Sequence, residues 1–249
     1  MKFPKYLPLI GLFTLLAGCN TSLVAAAEPA YECRRATGKI TLDGKADEAT
    51  WKEAQLIDDF TLPWLGQNKR AAKTKTAARL LWDDDYLYFT AKMEDHDLYA
   101  DITEHDGMTW DNDVFELFFK PDAKALGYYE FQVNAAQTRM DMYLPSRGSG
   151  GYRRWKAAHK FDWEAKVTRL GTLNEYTDTD SGWTVEGRFP WSDFKPTGGR
   201  PAVDARWGFT LCRYDYSVEY PDMELSSSAP LTQLNFHRYE DYAPITFVK

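Results

Sequence analysis

Short stretches of strand-forming residues, separated by turn signals, recur along most of the chain. Residues 182–189 alternate cleanly between apolar and polar positions, which is the period of a strand with two different faces. Residues 76–82 and 86–93 flank an Asp83-Asp84-Asp85 turn and predict a hairpin. Further strands are predicted at 114–119, 128–134, 139–143, 207–216 and 245–248. Because helices are predicted only as short connections, the sequence indicates an all-β fold, an antiparallel β-sandwich.

The stretch Gly107–Pro121 (GMTWDNDVFELFFKP) begins polar and then becomes a run of strand formers. Successive side chains of a strand point to opposite faces, so Glu116 shares a face with Val114 and Phe118. A carboxylate between apolar neighbours needs a cation, hydrogen-bond donors or a ligand with hydroxyls. Glu116 is therefore a candidate binding residue.

Trp110 lies just before this strand, where a large aromatic side chain has no evident packing role. An indole ring covers the apolar C–H face of a sugar, and a carboxylate a few residues away accepts hydrogen bonds from its hydroxyls. Trp110 and Glu116 together predict a carbohydrate site. The alternative is a core strand preceded by a Trp that caps it.

Composition and charge narrow the ligand classes. The chain has 249 residues, 44% hydrophobic and 15% aromatic, which suffices for one large domain or two small ones. We find no domain linker and no internal repeat. The formal charge is −7 and becomes −9 if Lys2 and Lys5 are removed with the leader described next. An acidic chain without a basic stripe argues against nucleic-acid binding and suits neutral ligands and cations.

Residues 1–19 are typical of an export signal, with two lysines before an apolar stretch. The segment ends in Leu16-Ala17-Gly18-Cys19, which resembles a bacterial lipobox. We therefore expect Cys19 to be lipidated and to become the mature N-terminus. An ordinary signal peptide or a membrane helix is the alternative, although the apolar stretch is short for a span.

After the leader, we expect residues 20–35 to form a tether and residues 36–249 to form the folded domain. Asn20 follows the cysteine, which in Gram-negative bacteria favours the outer membrane over retention in the inner one. The sequence thus predicts a protein anchored by lipid in the bacterial cell envelope.

Besides Cys19, the predicted mature chain has two cysteines, Cys33 and Cys212. Disulfides persist in exported proteins, so we expect these two residues to form one. Two free buried thiols are the alternative. Neither cysteine has clustered ligands beside it, which argues against a metal site there.

Acidic residues are dense just before the central strand: Glu94, Asp95, Asp97, Asp101, Glu104, Asp106, Asp111 and Asp113. Hard oxygen ligands at this density suit Ca²⁺, but the spacing matches no EF-hand loop. A solvated acidic loop is the alternative, and the sequence does not identify the ligands.

Six motifs follow one another in a characteristic order along residues 36–248. They are ITLDGK with Asp47-Glu48 and Trp51, ARLLWD with Tyr86-Leu87-Tyr88, WDNDVFE from Trp110, YEFQVN from Tyr129, GWTVE from Gly182 with Phe189-Pro190-Trp191, and Trp207-Gly208-Phe209. In this order they resemble the family 9 carbohydrate-binding modules.

The resemblance implies an immunoglobulin-like β-sandwich that binds sugars without cleaving them. It implies that Trp110 stacks on the sugar, that Glu116 bonds its hydroxyls, and that Gln132 stands where the family has an arginine. A second stacking Trp is expected within residues 226–230, but the sequence there is SSSAP. Tyr220, Phe236, His237 or Trp64 are candidate substitutes. The resemblance also implies a structural calcium ion.

Three other functions stay open. A glycoside hydrolase needs two carboxylates across one cleft, and Glu130 or Glu186 are the candidates to accompany Glu116. A haem-binding domain would use His105 with Met108, although no CxxCH motif occurs. A structural surface lipoprotein would have lost its sugar site. The preferred prediction is a lipid-anchored protein that binds poly- or oligosaccharide and holds it for polysaccharide-degrading enzymes.

Overall fold

The computed structural model describes residues 30–249, and strands dominate it. The strands are β1 Tyr31–Arg35, β2 Thr76–Trp82, β3 Tyr86–Met93, β4 Val114–Lys120, β5 Tyr128–Asn134, β6 Arg139–Leu144, β7 Glu164–Leu170, β8 Gly182–Pro190, β9 Arg206–Asp215, β10 Glu224–Ser227 and β11 Ala243–Phe247. One α-helical turn, α1, spans Tyr152–Trp155. Short 3-10 helices occupy Ala49–Glu53, Pro63–Asn68, Thr109–Asp111, Trp191–Thr197 and Tyr239–Asp241.

The strands form one sheet in the order β6-β5-β4-β9-β11-β1-β2-β3-β8-β7, with β10 beside β9. β1 pairs parallel with both β11 and β2, and the other pairs are antiparallel. The two outer edges approach each other, since the Val167 amide on β7 donates to Gln137 Oε1, in the turn between β5 and β6, at 3.0 Å. The all-β prediction is confirmed. The sheet is mixed and barrel-like rather than a purely antiparallel, immunoglobulin-like sandwich, because β1 joins its two halves in parallel.

The main core lies between the two halves of this sheet. Phe89 on β3 stacks against Phe115 on β4 with ring centroids 6.4 Å apart. Phe131 on β5 meets Phe189 on β8 at 4.4 Å. These inward residues are the apolar positions of the period-two pattern, which explains why the strands could be read from sequence.

A second apolar cluster covers the opposite face of β4, β5, β6 and β9. Phe118, Tyr128, Met140 and Cys212 belong to it, and residues 231–242 cross over it. Glu116 lies on this face, as the alternation along β4 predicts. The second cluster therefore surrounds the candidate binding residues.

The predicted disulfide between Cys33 and Cys212 is wrong, because both thiols are free and fully buried. Cys33 on β1 points into the main core, and Cys212 on β9 points into the second cluster. The two side chains are therefore on opposite faces of the sheet. Burial raises the pKa of both thiols well above its usual range, as expected for inert core residues.

The predicted leader and its lipidation site, Cys19, lie outside the described residues. Of the predicted tether, residues 31–35 form β1, so regular structure begins before residue 36. Within residues 30–249, we find no helix with the length and apolar character to cross a membrane.

Candidate functional site

A cavity of about 420 Å³ opens on the outer face of β4 and β5. Trp110, Glu116 and Gln132, the three residues predicted to bind sugar, all line it. Its size is within the usual range for small-molecule sites. Residues scattered along the sequence thus meet in one concave site.

The register between β4 and β5 sets the polar floor of the cavity. Glu116 lies directly opposite Gln132, and Glu130 lies two residues before Gln132 on the same face. Side chains directly opposite one another in an antiparallel pair have Cβ atoms roughly 5 Å apart. The floor therefore contains two carboxyl groups and one amide as neighbours.

Trp110 is placed by the 3-10 helix Thr109–Asp111, which immediately precedes β4. The hydroxyl of Tyr216 donates a hydrogen bond to the Trp110 carbonyl oxygen at 2.8 Å. The indole meets the ring of Tyr152 edge-on, with centroids 4.7 Å apart and planes at 90°. Trp110 is half-buried, so part of its ring faces the cavity rather than the core.

Glu116 is only 2% exposed, yet no hydrogen bond from a described donor reaches its carboxylate. Burial raises its pKa well above the usual range, and the neighbouring Glu130 raises it further. Burying a carboxyl group without a partner costs free energy. This unmet group lines the cavity, where a ligand can bond it.

Glu130 and Gln132 form a short hydrogen-bonded chain with Thr109. Thr109 Oγ1 donates to Gln132 Oε1 at 2.6 Å, and Gln132 Nε2 donates to Glu130 Oε1 at 2.7 Å. One of the two amide hydrogens of Gln132 is thus used by the protein. Burial raises the pKa of Glu130, while His237 and Gln132 oppose that shift.

Glu130 Oε2 is enclosed and accepts no hydrogen bond within the described part of the chain. The nearest basic atom to it is His237 Nδ1, at 3.8 Å. That nitrogen is also 3.1 Å from the Tyr128 hydroxyl. Glu130 therefore adds a second carboxyl group to the floor without presenting a free oxygen to a ligand.

No Trp occupies residues 226–230, and Ser226 and Ser227 belong to β10 and are buried. Of the candidate substitutes, Phe236 and His237 line the cavity. Trp64 packs against Phe236 at 6.1 Å, behind the cavity wall. Tyr220 lies elsewhere, under the Lys73 ammonium at 3.3 Å.

Sequence reasoning missed Tyr152 and Tyr214, two further aromatic residues of the cavity. Tyr214 pairs with Val114 across β4 and β9, a register that the sequence does not reveal. Tyr152 follows a glycine-rich loop that gave no signal. Glu130 was considered only as a catalytic partner, although its spacing from Gln132 already places both on one face.

Three buried aspartates, Asp95, Asp113 and Asp215, are the candidate ligands for the expected calcium ion, because their carboxylate oxygens lie within 4.8 Å of one another. Arg213 Nη2 lies 3.0 Å from Asp95 and 3.1 Å from Asp215, so one cation already pairs with two of the three carboxyl groups. Burial still raises the pKa of Asp95 to about 6 and that of Asp113 well above its usual range. An all-oxygen donor set fits Ca²⁺, while the guanidinium competes for the same carboxylates.

Comparison with known proteins identifies the relatives of this chain. A sequence model of the family described as carbohydrate family 9 binding domain-like matches residues 42–243. Endo-1,4-beta-xylanase A of Thermotoga maritima is 28% identical over 162 residues, which is 64% of this chain but 13% of that enzyme. The chain thus corresponds to a small part of the xylanase.

Two solved structures share the fold. A family 9 carbohydrate-binding module from Caldicellulosiruptor kristjanssonii in complex with glucose has a TM-score of 0.58 at 15% identity, covering 87% of this chain and 95% of the module. The complex with cellotriose has a TM-score of 0.57 at 15% identity, covering 87% and 93%.

Proposed function

From the premise that this chain, matched over residues 42–243, belongs to the carbohydrate family 9 binding domain-like family, we propose that it binds a poly- or oligosaccharide without cleaving it. One observation supports this most directly. A half-buried indole, Trp110, and an unpartnered buried carboxyl group, Glu116, line one cavity.

In the proposed complex a pyranose ring lies against the indole of Trp110. Its hydroxyls donate to Glu116 and accept from the second amide hydrogen of Gln132. One stacked ring and a few hydrogen bonds correspond to an affinity in the micromolar to millimolar range, about −8 to −4 kcal/mol.

The acids of the cavity favour binding over hydrolysis. A glycosidase needs two carboxyl groups that both reach the scissile bond. Glu130 shares the floor with Glu116, but one of its oxygens is bonded to Gln132 and the other is enclosed. Glu186, the other candidate, accepts from Trp51 Nε1 at 3.0 Å and from two backbone amides, outside the cavity.

The first experiment is a glycan array with the wild type and Trp110→Ala. We expect the wild type to retain at least one glycan and the variant to lose at least about tenfold in affinity, because stacking is removed. Incubation of the same glycans followed by product analysis should give no released sugar. If no glycan binds, the structural lipoprotein is favoured instead.

We also propose that the protein is lipidated at Cys19 and held at the outer membrane, where it presents saccharide to polysaccharide-degrading enzymes. The lipobox-like sequence at residues 16–19 supports this.

We further propose a structural calcium ion with Asp95, Asp113 and Asp215 as donors. Its support is the excess of buried carboxyl groups over cations there.

A further inference from the structure

We propose that the cavity selects sugars bearing a protonated amino group over neutral sugars of the same size. This inference rests on the proposed saccharide binding and specifies its ligand class. The ligand is a glycan with free amines, such as an oligomer of glucosamine.

The charge of the cavity is the first argument. Its polar floor contains the carboxyl groups of Glu116 and Glu130. No Lys or Arg is among the described residues that line it. The only basic side chain there is His237, whose Nδ1 lies 3.8 Å from Glu130 and 3.1 Å from a tyrosine hydroxyl. The site therefore has an excess of acid over base.

The unmet hydrogen-bonding capacity of Glu116 is the second argument. The side chain is 2% exposed, lines the cavity, and receives no hydrogen bond from residues 30–249. An ammonium group offers three donors and a positive charge, and hydrogen bonds between charged groups are about twice as strong as neutral ones. A hydroxyl offers one donor and no charge. An ammonium thus satisfies Glu116 better than a hydroxyl does.

The aromatic walls are the third argument. Trp110, Tyr214 and Phe236 line the cavity around the acidic floor, together with Tyr152, whose ring already has the Lys156 ammonium 4.9 Å from its centroid. The negative faces of such rings attract cations, and recognition of ammonium groups by aromatic cages uses this effect. An aminated sugar can therefore stack on the aromatic walls, with its ammonium attracted to the ring faces and bonded to the carboxyl group. An N-acetylated sugar loses the charge and adds bulk.

Proton release on binding is a second measurable consequence of the proposed amine recognition. Burial raises the pKa of Glu116 and of Glu130, so the empty site holds its protons to a higher pH than ordinary carboxyl groups do. An ammonium bonded to Glu116 favours the carboxylate, and the displaced proton goes to the buffer. Other titratable groups around the floor are Tyr128 on β5, Cys212 and Tyr214 on β9, Tyr152 on α1, and His237 and Tyr242 in residues 231–242. The Lys156 ammonium lies beside this wall and donates to the Tyr152 hydroxyl at 3.2 Å. Burial raises the pKa of Tyr128, Cys212, Tyr214 and Tyr242.

The test is isothermal titration calorimetry of the full chain with three oligosaccharides of equal length. They are a glucosamine oligomer, its fully N-acetylated counterpart and a neutral glucose oligomer. We expect the amine to bind at least about tenfold more tightly than the other two. At a pH low enough to keep every ligand amine protonated, its binding enthalpy should differ between buffers of different protonation enthalpy, since Glu116 releases a proton. The neutral ligand should show no such difference.

Two variants test whether the carboxyl group of Glu116 causes the preference for the amine. Glu116→Gln should bind the amine and the neutral oligomer with similar affinity and should release no proton. Glu219→Gln, which removes an exposed carboxyl group away from the cavity, should keep the wild-type preference. If Glu116→Gln does not fold, the proton release of the wild type alone decides.

The outcomes separate the two proposals. Equal affinity of the wild type for the amine and the neutral oligomer overturns the amine preference and leaves saccharide binding intact. A preference lost equally in Glu219→Gln shows attraction by overall charge and also overturns it. Binding of none of the three, together with an empty glycan array, overturns saccharide binding itself.

Discussion

Glu116 is an ionisable side chain in a buried position that disfavours its charged form. It is buried on β4 without a hydrogen-bond partner among residues 30–249, and burial raises its pKa well above the usual range. The folded chain then holds a proton that the unfolded chain releases near its ordinary pKa, about 4.3. Stability is therefore lost as the pH rises from that value toward the raised pKa of the folded state.

The burial of Glu116 therefore predicts that Glu116→Gln stabilises the protein. The free energy of unfolding should rise by about 1–3 kcal/mol at pH 8 and change little at pH 4, where the carboxyl group is mostly protonated in both states. Urea unfolding at the two pH values measures this. The exposed change Glu219→Gln should have little effect at either pH, and an equal gain from Glu116→Gln at pH 4 and pH 8 would contradict the argument.

Among the elements, β4 was predictable and β1 was not. The alternation along β4 fixed which face contains Glu116, because the period of a strand is local. β1 (YECRR) is short and mostly polar, and its partners β11 and β2 are distant in sequence. Parallel pairing of distant segments leaves no local pattern, so the union of the two halves and the placement of Cys33 could not be predicted.

The residues of the candidate site also separate into those that the sequence predicted and those that it did not. Trp110, Glu116 and Gln132 belong to two neighbouring strands and the turn before them; they were predicted to share one site, Gln132 through the family resemblance, and all three line the cavity. Phe236 and His237 come from residues 231–242, an irregular segment, and appeared only as two of four candidates. Their position depends on packing against the second cluster, which no short-range rule describes.

The ends of β3, β4 and β9 are where the calcium proposal belongs. Asp95 follows β3, Asp113 precedes β4, and Asp215 ends β9. An ion there would cross-link three strand ends. Because it binds only the folded state, Ca²⁺ at 100 times its Kd should add about 2.7 kcal/mol to the free energy of unfolding.

Thermal unfolding in excess Ca²⁺ and in a chelator measures this effect. We expect a higher midpoint with calcium for the wild type and for Glu94→Gln, an exposed acid beside the cluster. Asp113→Asn should lose the difference. An identical midpoint in calcium and chelator for the wild type would exclude a structural ion and leave Arg213 as the partner of the aspartates.

For the whole molecule, the proposed membrane attachment depends on a single cysteine, Cys19, in the residues preceding the described structure. We expect Cys19→Ala to move the protein from the membrane fraction of its bacterial host to the soluble fraction. Cys33→Ala, which also removes one thiol but from the main core, should stay with the membranes. Fractionation followed by immunoblotting measures this, and a membrane-bound Cys19→Ala protein would contradict lipidation at that residue.

The cavity is lined both by strands of the sheet and by an irregular connection. Its acids are fixed by the ladder of β4 and β5, whereas residues 234–237 are contributed by a connection outside the strands. Mutational drift at the exposed Leu234 and Asn235 can reshape the opening, while Phe236 is held by packing in the second cluster. Diversification among descendants of this scaffold is therefore expected to concentrate there, and exchanging this one short piece offers a direct route to engineered lectins.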